Sequence, residues 1–227
     1  HGGGPQITDY LKKVGIESDF ADGMRVTDPE SIHIIEMVLG GLVNKDLVKT
    51  ITSLGGKAVG LSGKDGGLIR AKKVIGTGEF KNIDFKNTGT VQSIDPEVVK
   101  LLDGTSFIPV IAPIGIGDDG KTYNINADIV AGKIAHILEA SKYLILTDTQ
   151  GILDAEDKLI QSINAEGVRS LISRGVISKG MLPKVNSALE AVSSGVEHVQ
   201  IINGTFDHSV LLELFTDEGI GTMIRRK

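Results

Sequence analysis

The sequence predicts an α/β protein, an open αβα sandwich around a mostly parallel central sheet. Two observations lead there. In the second half of the chain, strand-like runs that are apolar from end to end (SFIPVIAPIG, KYLILTDTQG, EHVQIIN) alternate with helical segments. That is the pattern of strands buried on both faces and joined by helices. The second observation is composition: 41% of the 227 residues are hydrophobic, yet only 4% are aromatic and tryptophan is absent. A core of this kind is filled by Ile, Leu, Val and Ala, as in sheets covered by helices.

The elements follow in order. Over residues 5–14, Ile7, Leu11 and Val14 recur at helical spacing, and Pro5 stands where a first-turn proline is tolerated. The stretch DFADGMRVT carries a DG turn signal and predicts a hairpin or folded loop. Thr27 or Asp28 then caps a helix with Pro29 and Glu30 in its first turn, and the helical period runs to about Leu54 with an interruption at Gly40 and Gly41. KAVGLSG reads as a short buried strand, LIRAKKV and TGTVQSI as an antiparallel pair, and residues 95–102 as a capped helix. SFIPVIAPIG is a strand running into a Gly/Asp loop, and NADIVAGKIAHILEA a helix opened by Asn126. After the strand KYLILTDTQG come helices over 165–173 and 183–193, the strand EHVQIIN, a helix over 209–215 and a terminal strand GTMIRR. Loop composition suggests a division into two lobes near Thr122, with no internal repeat and no low-complexity stretch.

The formal charge of −5 argues against a general nucleic-acid or anionic-membrane surface. No apolar run approaches the roughly 20 residues that cross a bilayer. The absence of cysteine excludes disulfides and thiolate metal sites and fits a reducing compartment, so the cytoplasm is the expected location, with a plastid left open. No convincing protein metal cage is found.

Four places carry chemistry. HGGGPQ, a glycine-rich turn ahead of a helix, suits either an anion approaching backbone N–H groups or a tight turn that needs no ligand. It fits neither the dinucleotide nor the P-loop fingerprint. Arg25, in the turn DGMRVT, is either a fork for a carboxylate or a solvated charge. Asn124 and Asp128, four apart in TYNINAD, place an amide and a carboxylate at the edge of the sheet where ligands bind in open α/β folds. Equally, Asn126 and Asp128 serve as cap and charge complement of the helix. Lys184, in GMLPKVNSALEA, lies in the first turn of its helix, a cation at the positive end of the dipole. A bound phosphate, the Asp128 carboxylate or a surface glutamate would compensate it.

Taken in order, HGGGPQ, DGMRVT, NINAD, LTDTQGILD and GMLPKVNSALEA make the chain resemble the N-acetylglutamate kinases of the amino-acid kinase family. The resemblance implies phosphoryl transfer from MgATP to the γ-carboxylate of N-acetyl-L-glutamate, the second step of arginine biosynthesis. Mg²⁺ would be held mainly by the ATP phosphates. A lobe over about 1–121 would bind the acyl amino acid, and one over about 122–227 the ATP. By position, Gly3 and Gly4 would offer backbone N–H groups, Arg25 would bind the α-carboxylate, and Asn124 would hold the same ligand. Lys184 would stabilise charge on the phosphates, Asp128 would orient the catalytic lysines, and Thr147, Asp148 and Gly151 would lie near the nucleotide.

The C-terminal stretch resembles the arginine-inhibited branch, with Glu213 and Gly219 at the effector site and Gln200 where a histidine is expected. That branch implies L-arginine as inhibitor; a homodimer is expected, or a hexamer where an N-terminal helix links dimers, and the nitrogen regulator PII is the partner a purely regulatory module would signal to. The family opens with a KxGG strand, and no such stretch precedes HGGG here. Without that interior strand, two sheet edges would be left open, and the isolated 227 residues are expected to be inactive and aggregation-prone. The rival readings are another amino-acid kinase, such as a carbamate kinase, and a catalytically dead module binding arginine or nucleotide.

Overall fold

The computed structural model describes residues 1–21, 23–178, 180–216 and 219–226. The chain divides into two compact units, His1–Val130 and Ala131–Lys227.

The first unit opens with α1 (Gly4–Lys13), whose buried residues Ile7 and Leu11 are the two at helical spacing that face inward. The hairpin follows as β1 (Phe20–Ala21) and β2 (Met24–Arg25), paired antiparallel; Asp22, in its DG turn, lies outside the described residues. The next helical stretch is α2 (Ser31–Glu36), a π-helical segment over Met37–Val43, and α3 (Asn44–Ser53). The expected break at Gly40 and Gly41 is therefore a widened turn inside a continuing helix, an irregularity that side-chain-free residues admit readily. Asp28, rather than Thr27, does the capping: its Oδ1 accepts from the N–H groups of Glu30 (2.9 Å) and Ser31 (2.7 Å).

Next come β3 (Lys57–Ser62), β4 (Ile69–Ile75), β5 (Asp84–Ile94), α4 (Glu97–Asp103), β6 (Phe107–Ala112), β7 (Ile114–Gly117) and β8 (Thr122–Ile125). The expected single strand through SFIPVIAPIG is split in two at Pro113, which has no N–H to give a ladder. Strands β3 and β6 pair in parallel. The other four close into a ring in the order β4-β5-β8-β7, antiparallel at β4–β5 and β7–β8 and parallel at β4–β7 and β5–β8. Ile7, Leu11, Ile35, Leu39 and Ile114 pack together as a core of this unit.

Helix α5 (Ala127–Ile137) carries the chain across the division. The second unit holds β9 (Lys142–Thr147), β10 (Ser162–Asn164), α6 (Ala165–Ser173), α7 (Met181–Ser193), β11 (His198–Asn203), α8 (Ser209–Phe215) and β12 (Thr222–Arg225). Its sheet has the order β10-β12-β11-β9. β9–β11 and β10–β12 are parallel and β11–β12 antiparallel. Along β11, Val199 and Ile201 join the main core of the unit, while Gln200 and Ile202 on the opposite face are also buried. A strand covered on both faces has no polar side to alternate with, which is why EHVQIIN reads as a nearly continuous apolar run. Helix α7 begins two residues before the expected Pro183, which remains in the first turn where its missing N–H costs nothing. No described helix is long and apolar enough to cross a membrane.

Candidate active site

In the first unit, segments far apart in sequence converge on the glycine turn. Gly3 is the N-cap of α1, and its carbonyl accepts from the Ile7 N–H at 2.9 Å. The need for glycine at this N-cap shows in packing. A Cβ there would sit 2.7 Å from Leu39 Cδ2 and 3.3 Å from Val43 Cγ2. A Cβ on Gly2 would rest 3.9 Å from the Cβ of Ala127, so the turn lies against the start of α5. At Gly4 nothing stands within 4 Å of the same point. Gly4 is thus the one of the three whose missing side chain leaves open space, at a helix end where the first N–H groups have no intrahelical partner.

The β1–β2 hairpin delivers Arg25 to this helix end. The guanidinium donates through Nη2 to Thr8 Oγ1 (2.8 Å) and the Gly4 carbonyl (3.3 Å), and through Nη1 to Ser18 Oγ. It also lies over the Phe20 ring, 4.6 Å from the centroid. Arg25 is only 7% exposed, and burial pushes its guanidinium below the usual value, although an arginine stays charged at neutral pH. This is a held cation rather than a solvated one.

Asn124, on β8, donates from Nδ2 to Thr27 Oγ1 at 3.2 Å. Two residues on, Asn126 Oδ1 accepts from the N–H groups of Asp128 (2.8 Å) and Ile129 (3.4 Å), capping α5. Asp128 occupies the first turn of that helix, where the dipole favours a carboxylate. Asn126 does the capping, and Asn124, on β8, takes no part in it. Gly4, Arg25 and Asn124 are thereby gathered in one unit, tied through Thr8, Thr27 and the start of α5.

The second unit places its candidates separately. Thr147 ends β9, and its carbonyl accepts from the Gly204 N–H at 2.8 Å, where the chain leaves β11. Thr147 Oγ1 donates to Asp148 Oδ1 at 3.2 Å. Thr147 and Asp148 therefore stand at the carboxyl end of β9, beside that of its parallel neighbour β11, the edge that binds ligands in open α/β sheets. Gly151 is buried with φ at 149°, and a Cβ would meet Thr222 Oγ1 at 2.6 Å, so this glycine serves close packing against β12. Lys184 is half-buried in the first turn of α7, which contains no acidic residue.

Glu213 and Gly219 are brought together. The Glu213 carboxylate accepts the Ile220 N–H at 2.8 Å, and Gly219 has φ +63°, with its Cα facing the carboxylate so closely that a Cβ would lie 2.9 Å from Oε2. Gln200 on β11 is 2% exposed, and its Oε1 has no partner among the described residues.

Sequence reasoning missed Thr8, Ser18 and Thr27 as parts of this site. Threonine and serine carry no periodic signal of their own, and Thr27 next to Asp28 and Pro29 looks like a cap. Only the pairing of distant strands discloses their partners.

The model of the amino acid kinase family matches residues 1–203. The chain belongs to the amino acid kinase family. Among its curated relatives in that family, the acetylglutamate kinase of Halorhodospira halophila is 54% identical over 233 residues, covering all of this chain and 78% of that protein. The acetylglutamate kinase of Chromobacterium violaceum is 52% identical over 226 residues, covering 99% of this chain and 78% of its own length. Among solved structures, the N-acetylglutamate synthase of Neisseria gonorrhoeae in complex with coenzyme A and N-acetyl-glutamate superposes with a TM-score of 0.88 at 26% identity. That match covers all of this chain and 51% of the synthase. The carbamate kinase of Giardia lamblia bound to AMP-PNP superposes at 0.65 with 15% identity, covering 100% of this chain and 81% of that one, a likeness of amino acid kinase fold alone.

Proposed function

We propose that this chain transfers the γ-phosphoryl group of ATP to the γ-carboxylate of N-acetyl-L-glutamate, giving N-acetyl-L-glutamyl 5-phosphate for arginine biosynthesis. The observation that carries the reading is the buried, pre-bonded Arg25 at the open glycine end of α1, with Asn124 linked to its backbone through Thr27. It occurs in a chain more than half identical to proteins named acetylglutamate kinase.

The chemistry asks little covalent work of the protein. A carboxylate is already a competent nucleophile at neutral pH, so the enzyme supplies alignment and electrostatic stabilisation of an in-line transfer. Arg25 receives the α-carboxylate, and its contacts with Thr8 and Ser18 hold the fork in place before the ligand arrives. Asn124 holds the same substrate. The N–H groups at Gly3 and Gly4 face charge that builds on the transferring phosphoryl oxygens, and the α1 dipole adds favourable potential there. Lys184 contributes positive charge to the phosphates, and Asp128 orients the basic groups around them. Thr147 and Asp148 belong to the nucleotide end, with Gly151 allowing the turn beside them to pack. ATP enters as its magnesium complex, with the ion carried on phosphate oxygens as part of the substrate. L-Arginine acting through Glu213 and Gly219 is the regulatory counterpart of this reading.

The test is hydroxamate trapping of the acyl phosphate formed from N-acetyl-L-glutamate and MgATP. The expected result is turnover that depends on the acetyl group and falls about 10²–10³-fold in Lys184→Ala. Turnover with carbamate or unacylated glutamate in preference would overturn the substrate assignment. Binding of nucleotide without any turnover would replace it with a regulatory role.

A further inference from the structure

We propose that Thr27 and Thr88 are positioning residues that fix the orientation in which Arg25 and Asn124 meet the carboxylate and amide end of the acyl amino acid; this rests on the function proposed above. Both threonines are buried, at 0% and 3% exposure, and neither has open space in which to meet a ligand itself. They are joined to each other and to both substrate-binding residues. The Thr27 N–H donates to Thr88 Oγ1 at 3.0 Å. The carbonyl oxygen of Arg25 accepts from the Thr88 hydroxyl at 2.5 Å and, over a longer 3.4 Å, from the Thr27 hydroxyl. Thr27 Oγ1 in turn accepts from Asn124 Nδ2.

The proton count makes this more than a set of contacts. A hydroxyl has one proton and two lone pairs. With its proton directed to the Arg25 carbonyl, Thr27 Oγ1 can only accept from Asn124. The Asn124 amide is therefore held with its nitrogen towards Thr27, since the flipped amide would set lone pair against lone pair. Asn124 Oδ1 is consequently turned away from Thr27 as an acceptor. The acceptor it offers suits the N–H of an acylated α-amine, while the backbone that bears the Arg25 cation is pinned by the same two hydroxyls. The Asn87 N–H, which donates to the Thr27 carbonyl at 2.7 Å, and Asn87 Nδ2, which donates to the Thr122 carbonyl at 2.9 Å, tie this relay to the sheet on either side.

Calorimetric titration of N-acetyl-L-glutamate, and separately of a non-hydrolysable ATP analogue, tests the proposal on wild type, Thr27→Val, Thr27→Ser, Thr88→Val, Asn124→Ala and the Thr27→Val/Asn124→Ala pair. Thermal unfolding of each variant accompanies the titrations. Thr27→Val keeps the shape and deletes the hydroxyl, and is expected to weaken N-acetyl-L-glutamate about tenfold while the ATP analogue changes less than about twofold. Thr88→Val should weaken the acyl amino acid by a few fold. Thr27→Ser should restore most of the affinity. With Asn124 already removed, Thr27→Val should add less than about twofold, because a positioning residue has nothing left to position.

Unchanged affinity in Thr27→Val overturns the proposal, as does full additivity with Asn124→Ala. So does a parallel loss of both ligands, the mark of a merely structural role. If the wild type itself does not bind N-acetyl-L-glutamate, the functional reading falls and this proposal with it. If the wild type binds and Thr27→Val binds equally well, only the positioning role falls.

Discussion

Replacing Gly3 and Gly4 one at a time by alanine separates packing from ligand approach within a single turn. At Gly3 the methyl carbon of alanine would lie 2.7 Å from Leu39 Cδ2 and 3.3 Å from Val43 Cγ2. Leu39 is 1% exposed and packed with Ile7, Leu11, Ile35 and Val38, so it has no unfilled volume into which to swing. Inserting a methyl into such a core costs about 1–3 kcal/mol. At about 2–4 °C per kcal/mol for a chain of this size, the midpoint should fall by roughly 2–12 °C. At Gly4 nothing lies within 4 Å, and alanine favours a helical position over glycine by about 0.5–1 kcal/mol. Gly4→Ala should therefore be as stable as wild type or slightly more so, yet fill the space over the α1 N-terminus and raise the KM for N-acetyl-L-glutamate. Thermal unfolding followed by circular dichroism, paired with steady-state kinetics, reads both. A Gly3→Ala protein with an unchanged midpoint would refute the packing argument. A Gly4→Ala protein with unchanged kinetics would refute the assignment of that open space to the ligand.

Other substitutions test the remaining parts. Arg25→Lys should raise the KM for N-acetyl-L-glutamate more than tenfold with little change for ATP, because a lysine cannot span Thr8 and Ser18 and stack on Phe20 at once; steady-state kinetics with each substrate varied in turn would check it. Asp28→Ala removes the acceptor for two helix N–H groups and should cost about 1 kcal/mol at neutral pH, measured by urea unfolding. Partial burial works to raise the Asp28 pKa, but the hydrogen bonds from Ser31 and Glu30 and the nearby Lys86 charge outweigh it and hold the carboxyl below its usual range. A depressed pKa in the folded state means that this stabilisation is present above the ordinary aspartate pKa and disappears as pH falls through the folded value. The gap between wild type and Asp28→Ala should therefore close in acid. Gly60→Ala should destabilise by about 2–3 kcal/mol, since its Cβ would stand 2.0 Å from Asn44 Oδ1. Asn44 cannot yield readily, being 1% exposed and bonded through Nδ2 to the Val110 carbonyl at 2.9 Å; an unchanged melting midpoint would count against this.

Most of the secondary structure was legible from the residues. The helices beginning near Pro5, Ala165 and Ser209 and the strands at Lys57, Ile69, Lys142 and His198 follow from period and boundary residues alone. The short strand Ser162–Asn164 escaped notice, because three residues are too few to display a period of two. The helix through Gly40 and Gly41 read as interrupted, since propensity penalises glycine locally and cannot see the packing that carries the helix across.

The sequence by itself determined the fold class and the family, since buried strands, glycine turns and helix starts are written as local patterns. The tertiary structure decided what each glycine and each hydroxyl is for. Gly3 is packed against a leucine 36 positions away while Gly4 borders open space, a difference that three identical letters cannot encode. Likewise the orientation of Asn124 depends on the proton of Thr27, 97 positions distant. Hydrogen-bond direction and close packing are relations between segments, and they exist only once the chain has brought those segments together.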